Sequence, residues 1–150
     1  LLLVVVGILV WTLTEYVVHR FVFHFQPHGQ TGVVVAYLLH GVHHAFPDDD
    51  RRWVMTPLVS VPTAVALYLG CRWLTGVFHG PIFAGFIIGY LGYDLLHYLA
   101  HHGHSGSRVG RFLRTYHFQH HYARPQAHFG ISSPLWDHIF GTVGGDRPER

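Results

Sequence analysis

The sequence predicts an all-α, integral membrane domain, and three observations carry that reading. Nearly half of the 150 residues are hydrophobic and only 12% are charged, whereas a soluble domain carries about 25% charged residues. The apolar residues gather in long blocks rather than in the alternating pattern of half-buried strands. Histidine is the anomaly, with 16 against 10 Lys plus Arg, and most of these histidines fall in four short groups at helical spacing.

The first block, Leu1 to Val18, is almost unbroken apolar sequence with Glu15 its only charge, as expected of a membrane-spanning helix. It has neither the basic leader nor the small-residue cleavage site of a signal peptide. With His19 following directly, it reads as a span entered partway, with more N-terminal sequence and a further span expected upstream. Residues 54–74 and 82–96 are the second and third blocks, joined by residues 75–81. A hydrocarbon core of about 30 Å needs about 20 helical residues, so these two form a helical hairpin, the third block a little short. Pro57 lies at the hairpin's start and Pro62 a turn further in, where a kink is tolerated if neighbours satisfy the freed carbonyl. Gly85 and Gly89 have the small-xxx-small spacing that permits close helix contact. Cys71 is alone in an apolar stretch and reads as a small packed hydrophobe. The chain is of single-domain length, ending in a frayed tail from Gly144.

Two histidine groups precede the hairpin, in residues 19–53, and two follow it, in residues 97–150. A hairpin returns the chain to the side it left, so all four groups lie on one membrane face. Arg20, Arg51, Arg52, Arg108, Arg111, Arg114 and Arg124 share that face and Arg72 falls opposite, which makes the histidine face cytoplasmic by the positive-inside rule. A net charge of +2 with scattered basic residues excludes the footprint of a nucleic-acid binder.

The groups are His19-x4-His24, His40-x2-His43-His44, His97-x3-His101-His102 and His117-x2-His120-His121. Residues three and four apart share a helix face, so His40 with His43 and His44, His97 with His101, and His117 with His120 and His121 each aim imidazoles in one direction. His19 and His24 are five apart, a rotation of about 140° on an α-helix; they serve different ions, or the helix deforms. Imidazole suits Zn, Cu, Fe and Ni, and ten histidines exceed one ion's needs, so a dinuclear site is expected. Carboxylates are too scarce for the Glu-rich di-iron bundle.

Asp94 and Glu15, three and four residues before His97 and His19, and Asp137 are candidates to orient ligating imidazoles. His102 points about 100° away from its neighbour. His104, His128 and His138 are candidates for supporting or entry roles, while His28 and His79 read as loop and turn residues. The run Asp48 to Arg52 reads as a solvated interfacial turn. Phe21, Phe23, Tyr98, Tyr116 and Trp136 are candidate walls of a substrate groove.

The segments EYVVHRFVFH (15–24), HGVHHAFPDDDRRWVMTP (40–57), GYDLLHYLAHHG (92–103) and HFQHHYARPQAHFGISSPLWDHIFGT (117–142) resemble the membrane fatty acid hydroxylase and sterol desaturase superfamily, most of all the fatty acid 2-hydroxylases. The resemblance covers nearly the whole chain. It implies about four spans in the full protein, with a cytosolic histidine-rich helical cap holding two metals. By motif matching the ligands are His19, His24, His40, His43, His44, His97, His101, His117, His120 and His121. It further implies two iron ions in catalysis, with zinc able to replace them in purified protein, and O2 as co-substrate. The substrate would be a fatty acyl chain hydroxylated at carbon 2. Many relatives carry a cytochrome b5 domain ahead of this one, so electrons are expected from a separate donor, cytochrome b5-like or a ferredoxin.

The rival readings are a sterol or carotenoid hydroxylase or desaturase, a metal-transport protein, and a structural protein held together by zinc. Transporters place their sites near the bilayer midplane, whereas these groups cluster at one face, which favours the enzyme.

Overall fold

The computed structural model describes residues 1–49, 57–103 and 106–144, and every regular element among them is helical. Helix α1 spans Leu2–Val18 and runs directly into a π-helical turn, His19–Phe23. Helix α2 (Gln30–Ala36) passes through a second π turn, Tyr37–Gly41, into the short α3 (Val42–Ala45). The hairpin is α4 (Pro57–Thr75), a 3₁₀ turn over Gly76–Phe78, and α5 (His79–His102). Helices α6 (Arg108–Tyr122) and α7 (Leu135–Phe140) complete the chain.

Two helical stretches are long and apolar enough to cross a membrane, one over Leu2–Phe23 and one over Ser60–His102, which includes the hairpin. The third block is longer than its apolar run suggested, because α5 continues through all three histidines of its group to His102. The hairpin turn uses Gly76 at φ +54°, in the left-handed region that only glycine enters without penalty. Pro62 is accommodated inside α4. Asp50 to Arg52 lie outside the described residues.

Burial is inverted relative to a water-soluble protein. Leu2, Leu9, Leu58, Val65, Trp73, Ile88 and Leu95 are exposed, while eight histidines, Glu15 and Asp137 are buried. Apolar side chains facing outward fit a lipid surround, and the polar interior is where the chemistry sits.

The axis of the fold is the pairing of α1 with α5. Both end at the histidine side, so the two helices run parallel. Close approach comes from glycine: a Cβ on Gly85 would run into the Val4 carbonyl, and one on Gly7 would meet Phe86 N at 2.8 Å and Gly85 Cα at 3.0 Å. The small-xxx-small spacing thus marks the helix interface, and Gly89 extends it by giving room to Trp11. Trp11 then packs edge-on against Phe86 and Tyr90, with ring centres 5.1 and 5.2 Å away. The consequence is that the histidine ends of α1 and α5 lie on the same side, with His19 and His97 facing one cavity.

Candidate metal centre

The ten predicted ligands fall into two convergent groups. His19, His24, His40, His44 and His120 form one; His43, His97, His101, His117 and His121 form the other, with the ligand atoms of each within 4.8 Å of one another. No histidine outside the ten joins either group among the described residues.

The partition differs from the expectation that each sequence group aims one way. Adjacent helical residues diverge by about 100°, so a His-His doublet splits between two targets. His40 pairs with His44 in the first group while His43 joins the second; His117 pairs with His121 in the second while His120 joins the first. The residues four apart go to one target, and the residue three along goes to the other. His97 and His101, four apart, both serve the second group.

His19 and His24 belong together, and the reason is the π turn. Widening the helix to i→i+5 bonding, seen in His24 N–H donating to the His19 carbonyl at 3.1 Å, brings residues five apart onto one face. The helix deforms, and the two histidines do not serve different groups. Each group therefore receives two pairs and one single residue.

Within the first group the Nε2 atoms of His19 and His40 lie 3.2 Å apart, His40 and His44 3.1 Å, His24 and His120 2.9 Å, and His44 and His120 3.2 Å. In the second, His43 and His97 are 2.9 Å apart, His43 and His121 3.1 Å, and His101 and His117 2.8 Å. Nitrogens bound about 2.1 Å from a shared ion would be about 3 Å apart at right-angle coordination, so the separations fit a cation at each centre. Burial keeps the rings neutral with lone pairs available: it holds His24 down to about 4 and His43, His44 and His120 down to about 3. His40, His117 and His121 are pushed well below the usual imidazole range by burial and then by neighbouring histidines.

The orienting partners are backbone carbonyls rather than the predicted carboxylates. His19 donates from Nδ1 to the Phe129 carbonyl at 2.6 Å, and His120 donates from Nδ1 to the Ala127 carbonyl at 2.7 Å. A carbonyl can only accept, so each Nδ1 carries the proton and Nε2 presents its lone pair. Glu15 does not reach His19; it accepts from Ile131 N–H at 2.6 Å, from Ser132 N–H at 2.9 Å and from the Ser132 hydroxyl. Asp137 accepts from Phe129 N–H at 2.9 Å, Gly130 N–H at 2.8 Å and the Thr142 hydroxyl at 2.7 Å. Both acids fix the loop that supplies the carbonyls. Asp94 is not bonded to His97, whose Nδ1 has no partner among the described residues. It lines a cavity instead.

His102 lies outside both groups and packs against Tyr98, ring centres 4.9 Å apart. His128 is buried beside Tyr116 at 4.3 Å. His138 and His28 are exposed, His79 bonds Gly76 O in the hairpin turn, and His104 lies outside the described residues.

A cavity of about 550 Å³ lies between α1, α4 and α5 and opens onto His19 and His40 of one group and His43 and His97 of the other. Its deeper walls are Val61, Ala64, Leu67, Phe83, Phe86 and Tyr90. Of the predicted aromatic walls only Phe23 lines it. Phe21 is exposed, Tyr98 sits in a separate surface dimple, Tyr116 packs on His128, and Trp136 donates to Thr12 at 3.1 Å. The other aromatics lining it are Trp11, Phe83, Phe86, Tyr90 and Tyr93; all lie in the apolar spans, and the small-residue stripe at Gly85 and Gly89 marks the face on which several of them gather.

An apolar cavity within membrane-type helices thus opens onto two convergent imidazole clusters able to hold metal ions. The chain belongs to the fatty acid hydroxylase family, whose model matches residues 4–142. It is 39% identical over 145 residues to a dihydroceramide fatty acyl 2-hydroxylase of Arabidopsis thaliana, covering 96% of this chain and 61% of that protein. It is 40% identical over 151 residues to a ceramide very long chain fatty acid hydroxylase of Saccharomyces cerevisiae, covering 95% of this chain and 38% of that one. A fatty acid 2-hydroxylase of Rattus norvegicus is 37% identical over 146 residues, covering 94% and 39%. The solved structure of full-length scs7p, in which only the hydroxylase domain is visible, superposes with a TM-score of 0.90 at 39% identity, covering 99% of this chain and 58% of that one. The chain spans 61% of the plant relative's length and 38% of the yeast relative's.

Proposed function

We propose that this chain carries the lipid- and metal-binding part of an O2-dependent hydroxylase that places a hydroxyl on carbon 2 of a fatty acyl chain. The observation that carries the proposal is the apolar cavity ending on imidazoles of both histidine groups. Its volume falls within the roughly 300–1,000 Å³ of small-molecule sites, and its apolar walls suit an acyl chain entering from the bilayer.

Two iron ions, one in each histidine group, would supply O2 activation and attack on an unactivated C–H bond, chemistry that no side chain provides. The residues do the rest. Ten neutral imidazoles present lone pairs toward two centres. Aliphatic and aromatic walls exclude water and align the chain so that only its head end lies at the histidines. The described lining holds Glu15 and Asp94 but no Lys or Arg, which disfavours a free carboxylate and favours an acyl chain whose carboxyl is in a neutral linkage, amide or thioester. The dihydroceramide and ceramide named for the relatives fit that requirement. A donor of two electrons per turnover, a cytochrome b5-like protein or a ferredoxin, completes the stoichiometry, and the basic histidine face is assigned to the cytoplasm.

The test is mass spectrometry of lipids from cells expressing the full-length protein under 18O2, beside His120→Ala. Acyl chains with one 18O at carbon 2, absent in the variant, support the proposal. Identical unlabelled acyl chains in both strains move the assignment to a sterol or carotenoid substrate, or to a structural zinc site.

A further inference from the structure

The two histidine groups are supported unequally. In the first, His19 and His120 are fixed through Nδ1 by the carbonyls of Phe129 and Ala127. In the second, the Nδ1 atoms of His43, His97, His101, His117 and His121 are all buried and have no hydrogen-bond partner among the described residues. Among the described residues those rings meet one another through Nε2, with no carbonyl or carboxylate on the Nδ1 side.

The two carbonyls flank a single residue, His128, which adopts φ +59°. A non-glycine residue there is uncommon and persists when its surroundings over-determine it. Here they do: His128 N–H donates to the Thr142 carbonyl at 2.9 Å, Asp137 takes the N–H groups of Phe129 and Gly130, and Glu15 takes those of Ile131 and Ser132. The loop is a clamped strut, pinned from α1 and α7, whose two carbonyls serve one histidine group only.

We infer that the two centres differ in metal affinity, the one at His19, His24, His40, His44 and His120 holding its ion more firmly, and that Glu15 and Asp137 are positioning residues for that centre alone. The inference rests on the proposed dinuclear reading. Outer partners of ligating histidines typically change metal affinity about 10–100-fold, and a ring with its Nδ1 proton engaged has both orientation and tautomer fixed.

The test is zinc release from the zinc-loaded, full-length protein in detergent, followed with an excess of a chromogenic chelator. Wild type is expected to release two equivalents in two phases at least tenfold apart in rate. His24→Ala should keep only the fast phase and His101→Ala only the slow one. Glu15→Gln and Asp137→Asn, checked for helicity by circular dichroism, should accelerate the slow phase at least tenfold and leave the fast phase unchanged. A single rate for both equivalents in wild type overturns the inference without any variant. So does a slow phase lost with His101 instead of His24, or equal acceleration of both phases in the strut variants. Wild type that takes up no zinc is a different result, and contradicts the metal-centre reading itself.

Discussion

Substituting Gly85 and Gly92 by alanine separates the role of the α1–α5 interface from the ordinary preference of a helix for alanine. Both glycines lie within α5. A Cβ on Gly85 would collide with the Val4 carbonyl oxygen and approach Val4 Cα to 2.9 Å, and these are backbone atoms that cannot rotate away. A Cβ on Gly92 meets nothing within 4 Å. Gly85→Ala must therefore move α1 away from α5 by a sizeable fraction of an ångström or more, at the roughly 1–3 kcal/mol of core overpacking. Gly92→Ala gains helix propensity, up to about 1 kcal/mol. At about 2–4 °C per kcal/mol for a domain of this size, Gly85→Ala should lower the unfolding midpoint in detergent by roughly 2–12 °C, while Gly92→Ala leaves it unchanged or raises it. The shift also carries His19 and His24, at the end of α1, away from His40, His44 and His120, their partners in the first group, so metal content should fall in Gly85→Ala only. Equal midpoints and equal metal content in the two variants would refute the claim that helix approach sets the histidine geometry.

Ala64 lines the cavity on α4, and Ala64→Phe should reduce kcat/KM for long acyl chains at least tenfold relative to shorter ones with metal content intact, measured with substrates of graded length. Chelation should abolish hydroxylation, ferrous iron should restore it, and zinc should refill the histidine groups without restoring turnover. Acid should destabilise the metal-free protein: imidazoles held near 3 to 4 when folded, against about 6.5 unfolded, let the unfolded chain bind protons first as pH falls. Their contribution is complete above about pH 6.5 and drains as pH drops toward the folded values, which thermal unfolding at pH 7.5, 6 and 5 will register as a falling midpoint.

The membrane-type helices and the ten histidines were legible because both are local signals: apolar blocks of span length, and imidazoles at intervals of three and four. How the doublets divide was also within reach, since adjacent residues diverge by about 100°, but the shared-face rule for three and four masked it. The kinship of His19 and His24 was visible only as an alternative, because a π turn is a deformation stabilised by tertiary packing. The carboxylates misled for a related reason. Glu15 and Asp94 have the helical offsets of a histidine partner, yet Glu15 reaches residues 131 and 132, more than a hundred positions away. Backbone carbonyls as orienting groups leave no trace in residue identity. The strained His128, between the two carbonyls that matter, is equally silent in sequence.

The most direct measurement is a single turnover by the purified full-length protein, loaded with ferrous iron and chemically reduced, with an amide-linked acyl substrate under 18O2. One product oxygen per turnover, labelled, at carbon 2, is expected, and none from the zinc-loaded protein. A desaturated chain, oxygen at another carbon, or equal yield with zinc would contradict the proposed hydroxylation.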